Sequence, residues 1–231
     1  AILLIAAVVR LDSIGPRTEF LGDQGVIATE LYNSYQRGYL PATGLMHSNG
    51  IRTGPVLFYL MAPSYFLSGN NPVGIAVFMA FVGVATVYLI FILGESLYGT
   101  VPALVVAGIY ALSPLIAAQS RAIWPPAFLP FFSVVGLLGL VLMRQKRNPA
   151  WLVIVCAASA VMSQMYIPSL PTVGFFGLTG VFLLLDLRKS RSVKTLLFWL
   201  LVSVACFIVI WLPFLQYESS HEFEDIRMFL L

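Results

Sequence analysis

Residues 72–93 read Pro72-Val73-Gly74-Ile75-Ala76-Val77-Phe78-Met79-Ala80-Phe81-Val82-Gly83-Val84-Ala85-Thr86-Val87-Tyr88-Leu89-Ile90-Phe91-Ile92-Leu93, with no ionisable acid or base among them. A helix needs about 20 apolar residues to cross the hydrocarbon of a bilayer. This run is long enough, and it is not alone. Five more apolar runs span or nearly span: Val101–Ala118, Ala127–Met143, Ala150–Ile167, Leu170–Leu185 and Thr195–Phe214. The chain opens inside another run, Ala1–Val9, which is too short to cross and reads as the tail of a truncated first span. The expectation is about seven spans.

Composition agrees. Of 231 residues, 59% are apolar and only 10% charged, and mean hydropathy is +0.91. A soluble domain carries about a quarter charged residues, so a soluble enzyme, a disordered chain and a disulfide-rich secreted module are excluded. The net charge of +3 does not signal a nucleic-acid partner, because the basic residues cluster at the ends of apolar runs. Cys156 and Cys206 lie inside such runs and read as packing residues.

Two basic clusters set the orientation: Arg144, Lys146 and Arg147, then Arg188, Lys189, Arg191 and Lys194. Two spans separate them, so both face the same side, which the positive-inside rule makes cytoplasmic. The N-terminus and the 94–100 connection then face the cytoplasm. The segment Arg10–Asn71, the stretch 120–126 and the acidic residues Glu218, Glu222, Glu224 and Asp225 face outside.

The outer segment 10–71 carries two elements. Ile27, Leu31 and Tyr35 recur at a spacing of four, with Ala28 and Tyr32 beside them, which predicts a surface helix over 26–37 that stops at Gly38. After a polar turn region at 41–54, Pro55–Leu67 is apolar nearly all round but short, as an interfacial or re-entrant helix is.

No ionisable residue lies near the middle of the six complete runs. Ion-coupled transporters usually hold charge there. The reactive side chains gather instead at the outer face: Asp12, Arg17, Glu19, Asp23, Glu30, Arg37, His47, Arg52 and Arg121. That placement suits an enzyme acting on a lipid with a polar head, such as a polyprenyl-phosphate sugar. The phosphate leaves without an acid, so one carboxylate base and cationic groups for the phosphate suffice.

Phe20-Leu21-Gly22-Asp23-Gln24-Gly25 resembles the first outer-loop motif of bacterial relatives of the protein O-mannosyltransferases, glycosyltransferase family 39. Residues 54–63, 77–88, Tyr110–Leu115 and Ser120–Pro125 resemble its second juxtamembrane helix, its following span and its next hairpin. The resemblance implies an all-α, polytopic transmembrane bundle of the GT-C type, with two juxtamembrane helices in the first outer loop. Residues 1–9 would be the truncated first span, 10–71 the first outer loop, 72–214 six spans and 215–231 the start of another outer loop. It further implies a lipid-linked sugar donor (undecaprenyl or dolichyl phosphate), an active site outside the cell membrane, Asp23 as catalytic base and Arg121 at the donor phosphate. No cofactor or metal is implied; the acceptor is a protein, lipid or polysaccharide. Two departures stand out: Pro125-Pro126-Ala127 replaces an Asn-Pro-Asn that often follows the Trp, and Gln24 replaces a Glu.

Each residue also has a plainer role. Asp23 after Gly22 fits a helix N-cap, and Arg121 at a run's end fits an arginine reaching toward headgroups. Arg52 fits a headgroup contact. His47 has no second His or Cys at ligand spacing, which speaks against a metal site. Arg52, Gln24 and His47 join Arg121 as expected substrate contacts. Tyr32, Tyr35, Trp124, Tyr166 and Trp211 fit interfacial aromatic belts, and Gln164 a turn. Asp12 and Glu19 fit partners for Arg10 and Arg17. The alternative functions are a transporter or lipid flippase, and a structural membrane subunit without a site.

Overall fold

A computed structural model describes residues 1–47 and 50–230. Ser48 and Asn49, which belong to the stretch expected as a polar turn region, and Leu231 lie outside the described residues. Among those described, twelve α-helices form: α1 (Ile2–Leu11), α2 (Ile14–Arg17), α3 (Asp23–Arg37), α4 (Val56–Leu67), α5 (Pro72–Tyr98), α6 (Thr100–Leu112), α7 (Pro114–Gln119), α8 (Leu129–Gln145), α9 (Leu152–Met165), α10 (Leu170–Leu187), α11 (Val193–Ser220) and α12 (Glu224–Leu230). Short 3-10 turns at Pro125–Phe128, Pro149–Trp151 and Ile167–Ser169 lead into α8, α9 and α10. Each carries Pro at its start, where the missing N–H has no helical partner to lose.

Four of these helices, α5, α8 and α10 (each of the last two with its leading turn) and α11, are long and apolar enough to cross a membrane. Leu201, Val204, Ile208 and Val209 on α11, and Leu104, Val105 and Ile109 on α6, stand exposed. Such a face is stable only against lipid. The all-α bundle expected from hydropathy is therefore present. The run at 101–118 forms two helices rather than one span, because Pro114 cannot donate an N–H and Ser113 is extended (φ −62°, ψ 119°).

Three apolar clusters hold the bundle. Ile27, Leu31, Leu57, Phe58, Met61, Ile75, Met79 and Phe128 seat α3 and α4 on α5 and α8. Leu140, Met143, Val155, Phe176, Leu184 and Leu196 join α8, α9, α10 and α11. The small residues Ala6, Ala107 and Ala111 let α1 and α6 close on Val87 of α5. On α3 the buried face runs through Ile27, Leu31 and Ser34. Tyr35, expected on that stripe, is exposed, and its ring lies 5.2 Å from that of Phe66.

The two basic clusters share one end of the bundle. Arg147 pairs with Asp186 at 2.6 Å and donates to Ser190 Oγ at 2.9 Å, and Arg191 Nε donates to the Arg147 carbonyl. Gln145 Nε2 donates to the Ser96 carbonyl, which brings the α5–α6 connection to that same end. The N-terminus of α3 and the turns before α8 and after α9 lie at the other end.

The packing of α8 on α10 turns on Gly136. A Cβ there would come 2.3 Å from the Phe176 ring, which is buried. Gly177, the residue after Phe176 and on the exposed face of α10, has nothing within 4 Å of a Cβ. Gly136→Ala is expected to lower stability by about 1–3 kcal/mol, as overpacking does. Gly177→Ala is expected to leave it equal or raise it by up to about 1 kcal/mol. Thermal unfolding in detergent checks both, and similar losses for the two would contradict this packing.

Candidate active site

Asp23 opens α3. Gly22 precedes it at φ +50°, ψ −118°, a conformation an L side chain resists, so the chain turns sharply and the helix begins at Asp23. Asp23 is thus the first helical residue, and Gly22 rather than Asp23 occupies the cap position. A carboxylate in the first turn meets the positive end of the helix dipole. Its Oδ2 accepts a hydrogen bond from Trp124 Nε1 at 3.1 Å, 101 residues along the chain.

Trp124 is delivered by a compact segment. After α7, Ala122 donates its N–H to the Gln119 carbonyl and Trp124 donates to Ala122. Between them Ile123 is fully buried in the cluster that seats α3 and α4. The backbone at Trp124 is thereby held by the buried Ile123, and its indole N–H by Asp23, while the ring itself stays partly exposed.

A second component is a narrow loop over residues 44–54. Gly44 donates to the Thr53 carbonyl at 2.7 Å, Thr53 to Leu45 at 3.0 Å and His47 to Ile51 at 2.8 Å, around an antiparallel bridge between Met46 and Arg52. Its base is tied to the end of α9, where Gly54 donates to the Gln164 carbonyl at 3.1 Å. A Cβ at Gly54 would collide with the Gln164 side chain. Gln164 is buried, not a turn residue, and its Nε2 donates to the Ile210 carbonyl of α11 at 2.7 Å.

These pieces enclose a cavity of about 290 Å³ lined by Asp23, His47, Thr53, Trp124, Met165 and Tyr166, among others. It is at the small end of ligand cavities. Asp23 and His47, both expected as site residues, line it. Gln24 is not part of its lining. Trp124 and Tyr166, expected only as belt aromatics, form its walls; the sequence signal for Trp124 was its place in the Ser-Arg-x-x-Trp stretch.

Arg52 points elsewhere. Its N–H donates to Asp225 Oδ1 at 2.8 Å, its guanidinium lies 3.6 Å from Asp225 Oδ2, and it sits over the Tyr217 ring. Of the four acidic residues expected outside, Asp225 (2% exposed) folds back onto the loop and Glu218 is fully buried, while Glu222 and Glu224 stay exposed. Arg17 pairs with Asp12 at 3.1 Å, as expected, whereas Arg10 is buried inside the bundle and pairs with neither acid. Arg121, three residues before Trp124, is half-buried, and its Nε has no hydrogen-bond partner among the described residues. Among the described residues, no three His, Cys, Asp or Glu side chains come together to hold a metal ion.

The family model of the dolichyl-phosphate-mannose-protein mannosyltransferases matches residues 52–216. The chain belongs to this family of membrane glycosyltransferases. The match takes in Arg52, Arg121 and Trp124, the long helices α5, α8 and α10 and α11 as far as Gln216, and extends past the stretch whose motifs carry the resemblance. Asp23 and His47 lie before it. The chain matches none of the curated proteins.

The Arg52–Asp225 contact carries a stability prediction. Arg52→Ala would leave Asp225 buried beside Glu218 with no cation. A loss of about 1–3 kcal/mol is expected, the usual cost of a buried polar group left without its partner. Adding Asp225→Asn should recover part of it. Thermal unfolding of the single and double variants decides, and a double variant less stable than Arg52→Ala would refute the pairing as the cause.

Proposed function

We propose that this mannosyltransferase-family chain moves a sugar from a polyprenyl-phosphate carrier to an acceptor hydroxyl at the non-cytoplasmic face of the cell membrane, by single displacement with Asp23 as the base. The observation that carries the reading is the Asp23 carboxylate. It is held by Trp124 Nε1 at 3.1 Å and borders a cavity at the bundle end opposite the basic clusters.

The chemistry follows from that position. The acceptor oxygen attacks the anomeric carbon while the carbon–oxygen bond to the phosphate breaks. The bonding pair leaves with the phosphate, giving the polyprenyl phosphate, and the acceptor proton passes to Asp23. One Asp23 oxygen accepts from Trp124, so the carboxylate is oriented and its other oxygen is available to the acceptor. His47 and Tyr166, which line the cavity, are assigned to contact the sugar.

Arg121 is assigned to the departing phosphate, where a guanidinium stabilises the growing charge. Arg121 is not among the residues lining the cavity and its Nε is buried, so the assignment rests on its place in the Ser-Arg-x-x-Trp stretch, three residues before Trp124. Arg52, already committed to Asp225, takes no part in this mechanism. The cytoplasmic placement of the basic end rests on the positive-inside rule.

The test is transfer in membrane vesicles from radiolabelled polyprenyl-phosphate mannose, followed as loss of label from the carrier. Asp23→Asn keeps the shape and the Trp124 contact but removes the base. It is expected to lower turnover by about 100-fold or more, with insertion and donor binding retained. Equal turnover in the variant would remove Asp23 from the mechanism.

A further inference from the structure

Arg10 is the largest fully buried side chain with a charge, and its solvent exposure is nil. Burying a guanidinium costs several kcal/mol unless a partner offsets it. The described ion pairs are Arg17–Asp12, Arg52–Asp225 and Arg147–Asp186, and Arg10 is in none of them. Its charged neighbour is another cation, Arg121. Its partners are three backbone carbonyls: NH1 donates to Ala6 at 3.3 Å and to Ala111 at 3.0 Å, and NH2 to Tyr110 at 3.4 Å.

Two of those carbonyls are the ones the α6–α7 break leaves without a helical donor. In a continuous helix, residue 114 would donate to Tyr110 and residue 115 to Ala111. Pro114 has no N–H, and the extended Ser113 carries Leu115 away. An orphaned carbonyl in an apolar bundle costs about 1–3 kcal/mol. The planar fork of an arginine donates in two directions at once, which neither Lys nor Gln reproduces.

The same side chain reaches the segment beyond α7. A Cβ on Gly83 of α5 would lie 2.9 Å from Arg10 Nε and 2.7 Å from Ser120 Cβ, so α5 brings Arg10 and Ser120 against one point. From Ser120 the chain runs through Arg121, two backbone-bonded turns and the buried Ile123 to Trp124. Arg10 therefore bonds the chain at the start of the stretch that places Trp124 and lies close to Ser120 further along it, without a hydrogen bond there.

We propose that Arg10 is a positioning residue: by taking over the Tyr110 and Ala111 carbonyls freed at Ser113-Pro114, it holds the segment 113–124 where Trp124 reaches the Asp23 carboxylate. Its effect on transfer rests on the reading of Asp23 as base; its effect on Trp124 does not. Arg10 acts on turnover through Trp124 and touches no reacting atom.

The test uses 5-fluorotryptophan-labelled protein, with the position-124 ¹⁹F resonance assigned by Trp124→Phe, and transfer from polyprenyl-phosphate mannose on the same preparations. The variants are Arg10→Gln, Arg10→Lys, Pro114→Ala and Arg10→Gln with Pro114→Ala. Arg10→Gln is expected to shift the Trp124 resonance and lower kcat by about 10- to 100-fold, a range typical of displaced catalytic geometry, with donor KM within about twofold. Pro114→Ala restores a backbone donor to Tyr110, so in that background the loss of Arg10 should shift the resonance and lower kcat much less. An unmoved Trp124 resonance in Arg10→Gln would overturn the proposal, as would equal effects with and without Pro114→Ala. Should Arg10→Gln fail to insert, Arg10→Lys, with charge but no fork, must still shift the resonance. If wild type transfers no sugar, the proposed function fails on its own, and the resonance alone decides the role of Arg10.

Discussion

Within a bilayer no water satisfies a backbone N–H or C=O, so every such group must find its partner in the chain. This constraint governs the molecule. It makes the apolar runs helical and places the proline-led turns at helix starts, where no donor is lost. It also explains the largest polar investments in the bundle interior. Arg10 serves carbonyls at the Ser113-Pro114 break, Gln164 serves the Ile210 carbonyl of α11, and buried Ser159 returns its hydroxyl to the Val155 carbonyl one turn back.

The site follows from where those constraints relax. At the end opposite the basic clusters, the chain leaves the helical regime and forms the 44–54 loop, the turn into α8 and the exit from α9. The loop is fixed by backbone bonds to itself and to Gln164, and the α8 turn by Ile123 below. Asp23 arrives from a third direction on α3, which α4 and α5 seat. A carboxylate, an indole donor and an imidazole from segments far apart in sequence thus border one cavity.

The architecture was legible because it rests on hydropathy, a local property. The run at 72–93 became α5, and Gly38, in the left-handed conformation at φ +66°, ends α3 as expected. Asp23 was singled out as a candidate by its motif, and its role as base remains a proposal. What could not be read were pairings across the chain. Trp124 looks like any interfacial aromatic until α3 is packed 101 residues away from its own sequence neighbours. Arg52 looks like a headgroup ligand until α12 brings Asp225 onto it. Arg10 looks like a polar end to the first apolar run until the break at Pro114 supplies the carbonyls it serves. In each case the deciding partner is 100 or more residues distant, and hydropathy carries no information about it.

The proposed transfer requires the donor's sugar to enter the cavity beside Asp23. A polyprenyl-phosphate sugar carrying a photoactivatable diazirine on its ring, irradiated in membrane vesicles and mapped by mass spectrometry, tests this directly. Adducts on Trp124, Met165 or Tyr166 are the predicted result. Adducts confined to the separate apolar groove between α3 and α4, around Tyr39, Tyr59 and Phe66, would contradict it.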